Sequence, residues 1–497
     1  MEGNSSSFLT FIVTLPVLLL AAGGVLAMLL DAFGYLKSDF SKTVFSVFVL
    51  FSALCFLQPL FVINELVLNR QVVGDSFAGV FSCLILLASI AVVLINHSTL
   101  NSQGVEKSRD LYPLMLFSIA GAVGLVSSNN LIGLFICIEL LSIPVYVMAA
   151  SAPAEKASAE GALKYFILGA VSSAFLLYGL ALLYASTGSL DIQIINNVLV
   201  ATHLVSSPLL LLAGALLIFG FAFKLSLAPF HFWTPDAYQG APLGINSYMS
   251  VVVKAAAFGG LIRIFSQCLP TLAVDYRGLF IVLGVVSMIV GNLSAMRQTS
   301  IKRLFAYSSI AHAGYAVVCI PLLSIVGQSA VITYVIFYSL ATLWIYAVLV
   351  GHLAGTPYQY QDDDLSRLRG MSKRDPIAAV LFAIFILSLA GIPPLAGFFG
   401  KFYLISALVK SHYVGLAVIL VLNSALSLFY YLKVIALVFE PGEELSQSSH
   451  STFPGRLVSV FSGVVVVSSV FLLDFVSTQS HSAVDSLGVQ SVSTTVK

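Results

Sequence analysis

The chain has 497 residues, of which 59% are apolar and 9% are Asp, Glu, Lys or Arg, against about 45–50% and about 25% in ordinary soluble domains. Its 23 basic and 22 acidic side chains are too few to clothe a water-soluble protein of this size, and a mean hydropathy of +1.01 makes lipid the solvent. A net charge of +1 leaves no clustered basic footprint, which excludes nucleic acid as a partner.

Stretches of about 20 predominantly apolar residues, the length of a transmembrane helix, follow one another with short polar punctuation. Fourteen are expected, over 8–30, 43–64, 77–97, 111–128, 130–150, 158–186, 207–231, 243–269, 277–296, 303–325, 328–354, 376–408, 413–439 and 456–477, here spans 1–14. Span 1 has no basic segment before it and is too long for a signal-peptide core, so it reads as a retained span. The pattern divides the chain into an N-terminal three-helix segment (1–110), a five-helix unit (111–269), a second five-helix unit (277–439), and a last span with its tail (440–497). With both termini outside, 13 basic residues lie in cytoplasmic loops and 4 (Arg70, Arg277, Lys410, Lys497) on the opposite side, the asymmetry that fixes orientation. The polar segment 355–375, with Asp362-Asp363-Asp364 followed by Arg367, Arg369, Lys373 and Arg374, is the largest cytoplasmic loop and reads as a solvated or partner-facing surface. The tail after Asp474 is rich in Ser, Thr and Val without periodicity and is expected to fray.

Two spans carry a helix-breaking sequence near their middle: Ser226-Leu227-Ala228-Pro229 in span 7 and Gly391-Ile392-Pro393-Pro394 in span 12. Proline deletes a backbone hydrogen bond and clashes with the preceding turn, and irregular backbone at membrane depth survives only against protein or a wet cavity. Both spans should be discontinuous. Spans 4–8 and 9–13 are five each, so the breaks occupy equivalent places, and an odd number of spans inverts the second unit relative to the first. That is the pattern of inverted-repeat transporters, whose broken helices mark the ion path.

Charges within spans sharpen the argument. Glu139 lies about nine residues into span 5 and Lys254 about eleven into span 8; at about 1.5 Å per residue both reach the bilayer middle, beyond snorkelling distance. Lys224 precedes the span 7 break and Lys401 follows the span 12 break. With Lys164, these five would cost roughly 12–18 kcal/mol if left unpaired. Lys164 has Glu160 one turn before it in the favourable order. Glu139 has no cation nearby in sequence, and Lys224 is its expected partner on another helix. Arg263 and Lys433, near span ends, are expected to snorkel. His312, near the middle of span 10, has the ordinary pKa that suits a relay, and His231 is a weaker candidate. These groups point to proton transfer: a lysine in low dielectric readily loses its proton, and a nearby carboxylate restores it. Lys224, Lys254, His312 and Lys401 form a hopping line joined by water.

No metal site is expected. Cys55, Cys83, Cys137, Cys268 and Cys319 stand singly in apolar runs, and neither G-x-G-x-x-G nor G-x-x-x-x-G-K-[ST] occurs. Nothing in the chain would ligate haem or an iron–sulfur cluster, so redox chemistry must belong to partners.

The stretches FKLSLAPFHFWTPDAYQGAP (223–242), QTSIKRLFAYSSIAHAGY (298–315) and LAGIPPLAGFFGKFY (389–403) resemble the antiporter-like membrane subunits of respiratory complex I, the proton-pumping NADH:quinone oxidoreductase, in the wording of subunit N. The resemblance covers about residues 110–440 strongly. It implies an all-α polytopic membrane fold with two inverted five-helix repeats and broken spans 7 and 12. It matches Glu139 to the family's span 5 glutamate, Lys224 to the span 7 lysine paired with it, Lys254 to the connecting lysine, and Lys401 to the lysine of the outlet half-channel. Lys164 and His312 match a further span 6 lysine and the span 10 histidine. It implies no cofactor in this chain, with NADH, FMN, iron–sulfur clusters and quinone in partner subunits. The implied partners are other membrane-arm subunits, including sister antiporter-like chains. A bacterial cytoplasmic membrane is expected, since no transit peptide precedes span 1; an organelle-encoded copy would read the same. The alternative is a subunit of a multi-subunit cation/proton antiporter, against which the wording of Trp233–Pro242 speaks.

Overall fold

The computed structural model describes residues 2–103, 110–151, 156–202, 207–272, 275–353, 363–442 and 473–488. Spans 1 and 2 are α1 (Glu2–Ala32) and α2 (Asp39–Cys55). Ser38 caps α2 by accepting from the Ser41 amide, and the Ser41 hydroxyl returns the bond, so the polar loop itself starts the helix. A short antiparallel hairpin, β1 (Glu65–Val67) with β2 (Val72–Gly74), turns through Leu68, Asn69 and Arg70 at positive φ. The chain continues through α3 (Ser76–Gln103), α4 (Leu111–Val126), α5 (Leu131–Ala149), α6 (Lys156–Thr187), α7 (Ile192–Thr202), α8 (Pro208–Lys224) and α9 (Trp233–Gly240). Span 8 is one helix, Leu243–Cys268: α10 (Leu243–Tyr248), a π-helical turn over Met249–Val253, α11 (Lys254–Arg263), and a second π turn over Ile264–Cys268. The second unit holds α12 (Arg277–Met296), α13 (Ile301–Val317), α14 (Ile325–Leu353), α15 (Met371–Arg374), α16 (Pro376–Ala390), α17 (Ala396–Lys410) and α18 (Val414–Phe439), and α19 (Leu473–Ser486) follows.

Helices lie over spans 1–13. Ten among the described residues are long and apolar enough to cross a membrane as they stand. Span 4 is a shorter helix of 16 residues, and spans 7 and 12 fall short because they are divided. Span 14 lies outside the described residues apart from 473–477.

The two breaks share one construction. Ser226 (φ +61°) and Gly391 (φ +86°) take the left-handed conformation, each three residues before a proline. The amide just after each left-handed residue reaches back, Leu227 to the Ala222 carbonyl at 2.8 Å and Ile392 to the Leu387 carbonyl at 3.1 Å. This helix stop satisfies carbonyls of the last turn before each break. Ser226 adopts a conformation that favours glycine, held in a wholly buried setting.

The helices pack through small residues, as lipid-embedded helices must; a Cβ at Gly291 of α12 would lie 2.6 Å from the Ala311 amide of α13. Large apolar side chains on α1, α6 and α18, such as Phe8, Phe166 and Phe429, point outward, where lipid or neighbouring subunits cover them.

Three features depart from the sequence reading. Residues 473–486 form helix α19, packed on α3 and α14 with Ser480, Ala483 and Val484 buried. The expected fraying of the tail is therefore corrected: small residues at helical spacing make a narrow seam that a hydropathy count overlooks. Arg263 does not snorkel. Its side chain and that of Asp75 are both 0% exposed, because the helix runs on past Arg263 and the carboxylate that starts α3 meets it inside. Helix α7 and the β-hairpin went unanticipated, since neither contains a span-length apolar run; Arg70 Nε joins them by donating to Asp191 at 2.7 Å. Lys433 is exposed on α18.

Candidate functional site

Helix α5 is started by Asn130, whose side chain accepts from the Ile132 and Gly133 amides. Its register sets Glu139, Ser142 and Tyr146 at i, i+3 and i+7, on one stripe. Glu139 is half-buried and accepts from the Ser173 hydroxyl of α6 at 2.5 Å. Lys224, in the last turn of α8, is 5% exposed and donates to Ser142 Oγ at 2.7 Å and to the Tyr146 hydroxyl at 3.0 Å. The Ser142 hydroxyl gives its own proton to the Ile138 carbonyl, which leaves its oxygen free to accept from Lys224. The expected Glu139–Lys224 ion pair is therefore corrected. The Ser142 hydroxyl takes the place of the carboxylate, and Glu139 turns to α6.

Lys254 follows the π turn of span 8, is 2% exposed, and donates to the carbonyl and hydroxyl of Ser309 on α13 at 2.8 and 2.9 Å. This ammonium joins the first five-helix unit to the second. One turn along α13, His312 is buried with Nδ1 2.6 Å from the Tyr334 hydroxyl and Nε2 3.0 Å from the Tyr431 hydroxyl. Tyr431 also lies 2.5 Å from Ser308 Oγ, next in sequence to Ser309. Tyr430, its ring 4.4 Å from that of Tyr431, donates to Asn292 Oδ1, whose amide donates to the Tyr315 hydroxyl. Lys401 Nζ lies 5.2 Å from the centre of the Tyr315 ring. Lys401 is 4% exposed and donates to the Ala390 carbonyl at 2.9 Å and to Ser424 Oγ at 2.8 Å. The Ala390 carbonyl is among those that the span 12 break frees, so the break supplies the lysine's acceptor. Lys401 and Ser424 also edge a cavity of about 250 Å³ otherwise walled by apolar side chains such as Phe398, Phe402 and Val421.

The structure thus gathers Lys254, His312 and Lys401 among buried hydroxyls, with His312 bonded to Tyr334 and Tyr431, Lys254 to the neighbouring Ser309, and Lys401 set over the Tyr315 ring, and sets Lys224 beside Glu139's stripe. Among the described residues no carboxylate comes within ion-pair distance of Lys224, Lys254 or Lys401. Lys164 stands apart. Its side chain is 45% exposed and pairs with Glu160 at 2.7 Å and Asp236 at 2.8 Å, and Asp236 also holds Arg303 at 2.7 Å, a surface charge cluster joining α6, α9 and α13. His231 is buried against Phe232, its Nδ1 without a partner among the described residues. The residues that sequence reasoning missed are the hydroxyl partners Ser142, Tyr146, Ser173, Ser309, Tyr334, Tyr431 and Ser424. Single hydroxyls are ordinary in membrane helices, and only the fold tells which of them face a lysine.

Residues 128–427 match the family described as NADH:quinone oxidoreductase/Mrp antiporter, TM. The chain is 39% identical over 400 residues, 79% of its length and 80% of the relative's, to NADH-quinone oxidoreductase subunit N of Trichlorobacter lovleyi. The chain belongs to the NADH-quinone oxidoreductase subunit N family. A subunit N 1 from Sorangium cellulosum is 34% identical over 493 residues, covering 93% of this chain and 96% of that one. Among solved structures, a chain of respiratory complex I from Thermus thermophilus superposes with a TM-score of 0.75 at 32% identity, over 93% of this chain and 98% of that chain. A chain of the Mrp complex from Dietzia matches with a TM-score of 0.79 over 95% of this chain and 97% of that one; at 20% identity it shares the fold alone. Subunit N membership carries the antiporter-like membrane fold that the broken spans announced.

Proposed function

We propose that this chain carries protons across the bacterial cytoplasmic membrane as a membrane-arm subunit of a proton-translocating NADH-quinone oxidoreductase, along a midplane line through Glu139, Lys224, Lys254, His312 and Lys401. NADH, FMN, iron–sulfur clusters and quinone belong to partner subunits in this reading, and sister antiporter-like chains flank it.

One observation carries the proposal: three lysines and a histidine lie buried at membrane depth, held by hydroxyls and carbonyls rather than by carboxylates. A buried ammonium is costly, and without a fixed counter-charge it is free to shed its proton when a nearby charge changes. Hydroxyls both donate and accept, so Ser309, Ser308, Tyr431 and Tyr334 are able to pass a proton that neither side chain could hand over directly. The buried hydroxyls of Thr234 and Ser339 have no hydrogen-bond partner among the described residues, the kind of group that internal water satisfies. Glu139 shares the α5 stripe with Ser142 and Tyr146, which hold Lys224, and is the carboxylate this reading assigns to that lysine. Lys164, with Asp236 and Arg303, serves at the cytoplasmic surface, where a cluster of titratable groups collects protons for the line.

The test is Lys224→Ala in the assembled complex. Quinone-linked proton pumping into sealed vesicles should fall about tenfold or more, while electron transfer from NADH to an artificial acceptor is unchanged. Normal pumping in an assembled variant would refute the relay.

A further inference from the structure

Helix α19, the segment expected to fray, lines a polar seam that the relay does not use. The outer half of α14 packs against α19 and α3, and α19 packs against α3. An apolar zip would suffice there, yet the contacts are hydroxyls. Thr333 Oγ1 donates to Ser480 Oγ at 3.0 Å. Ser329 Oγ donates to the Ser480 carbonyl at 3.4 Å and lies 3.3 Å from His481 Nδ1. Beside Ser329, Gln328 donates to Ser266 Oγ of span 8 at 2.7 Å, while its own side-chain oxygen is buried without a partner among the described residues. Ser82 of α3 likewise has a buried hydroxyl with no such partner. Thr333, Ser329 and Ser480 are buried, and His481 is exposed.

The depths are ordered. Helix α14 enters from the outer face at Ile325, so at about 1.5 Å per residue Ser329 lies about 6 Å and Thr333 about 12 Å below that end. Thr333 is next in sequence to Tyr334, whose hydroxyl holds His312. The seam therefore starts at the level of the relay histidine and ends at an exposed imidazole near the outer surface. Its outer end is anchored where Ser486 accepts from the Phe77 amide and Gln267 donates to the Leu487 carbonyl.

We propose that the seam between α14 and α19 is the outward proton exit of this subunit, running from the His312–Tyr334 pair through Thr333, Ser480 and Ser329 to His481. Each hydroxyl takes one proton and gives one, water bridges Tyr334 to Thr333 and Ser480 to Ser329, and the His481 imidazole releases the proton to the outer medium. The exit rests on the relay reading above.

The test uses the whole complex in sealed vesicles and the isosteric pair Thr333→Val with Ser480→Ala. The rate of quinone-linked pumping should fall about tenfold, because neither side chain can then accept and pass on a proton, while NADH-to-artificial-acceptor transfer and the amount of assembled complex stay at the parental level. Ser480→Thr, which keeps the hydroxyl, should restore pumping; a role in packing alone would make that larger residue as harmful as alanine. A separate readout is Ser480→Cys treated with a membrane-impermeant thiol reagent, which should label above the parent's five native cysteines from the outer side only. Parental pumping in the double variant, or no labelling from outside, overturns the exit. A Lys254→Ala control separates the two readings: if it pumps normally the relay has failed and the exit with it, whereas if it is impaired and the seam variants pump normally, the exit alone has failed.

Discussion

Replacing Asp75 with alanine should damage the membrane domain far more than its position at a loop edge suggests. Both Asp75 oxygens accept from the Arg263 guanidinium at 2.9 Å, and Oδ1 also accepts from the Ala78 amide at 2.8 Å, starting α3. Arg263 gives two further donors to the Val126 carbonyl at 2.8 Å and Gln267 at 3.1 Å, and its guanidinium lies 4.8 Å from the Phe77 ring centre. Helices α3, α4 and span 8 thus meet at one wholly buried cation. Removing the carboxylate leaves that charge uncompensated, which costs about 3–5 kcal/mol, and the lost helix cap adds about 1 kcal/mol. At about 2 °C per kcal/mol, the low end for large domains, the apparent melting point of the membrane-embedded chain should drop by about 8–12 °C, read as the midpoint of heat-induced loss of the assembled complex. Asp75→Leu combined with Arg263→Met removes both charges and should recover most of the loss. A drop below about 2 °C for Asp75→Ala, or a double variant no better than the single, would refute the claim that the pair fails through an orphaned charge.

Gly391→Ala puts a Cβ 3.0 Å from Lys401 Cδ at φ +86°, so it should cost about 1–2 kcal/mol and lower pumping, whereas Gly415→Ala, with open space around its Cβ, should change neither; thermal midpoints and pumping rates of the two variants decide it. Partial burial alone would raise the Asp191 carboxyl, but the Arg70 guanidinium and the Ile194 and Gln193 amides outweigh it and hold it below the ordinary range. Because the unfolded chain then takes up the proton at higher pH, the bond between hairpin and α7 is at full strength above about pH 4 and is lost as pH falls through the folded value. Protease cleavage of this outer cap should rise on acidification below that point, and Asp191→Asn should cost about 1 kcal/mol at neutral pH and abolish the acid dependence.

Much of this was legible in the sequence because membrane solvation imposes few solutions. Pro229 and Pro394 announced the two broken helices, and Lys224, Lys254, His312 and Lys401 stood out because hydrocarbon penalises each of them. What escaped had no comparable penalty. The Asp75–Arg263 pair joins residues 188 positions apart, and Arg263 read as a span-end residue until the fold brought a carboxylate to it. Ser142 was invisible as Lys224's partner because a carboxylate one turn away offered a stronger charge; the hydroxyl wins by geometry. Helix α19 hides behind a composition of Ser, Thr and Ala, whose seam is recognisable only when α14 presents Ser329 and Thr333 to it.

The account turns on whether the buried lysines change protonation, and Lys401 tests this most directly. It follows the span 12 break, and in this reading its proton reaches the outer medium by way of His312 and the exit beside it, against a potential worth about 2.3 kcal/mol per 100 mV for a full crossing. A loading site there must both bind and release its proton, which lysine does and arginine, effectively always protonated, does not. The deciding measurement is the proton-to-electron ratio of Lys401→Arg complexes in sealed vesicles oxidising NADH with quinone. The account predicts a lowered ratio although charge and approximate length are kept. A ratio equal to the parent's would contradict it and leave Lys401 a fixed charge.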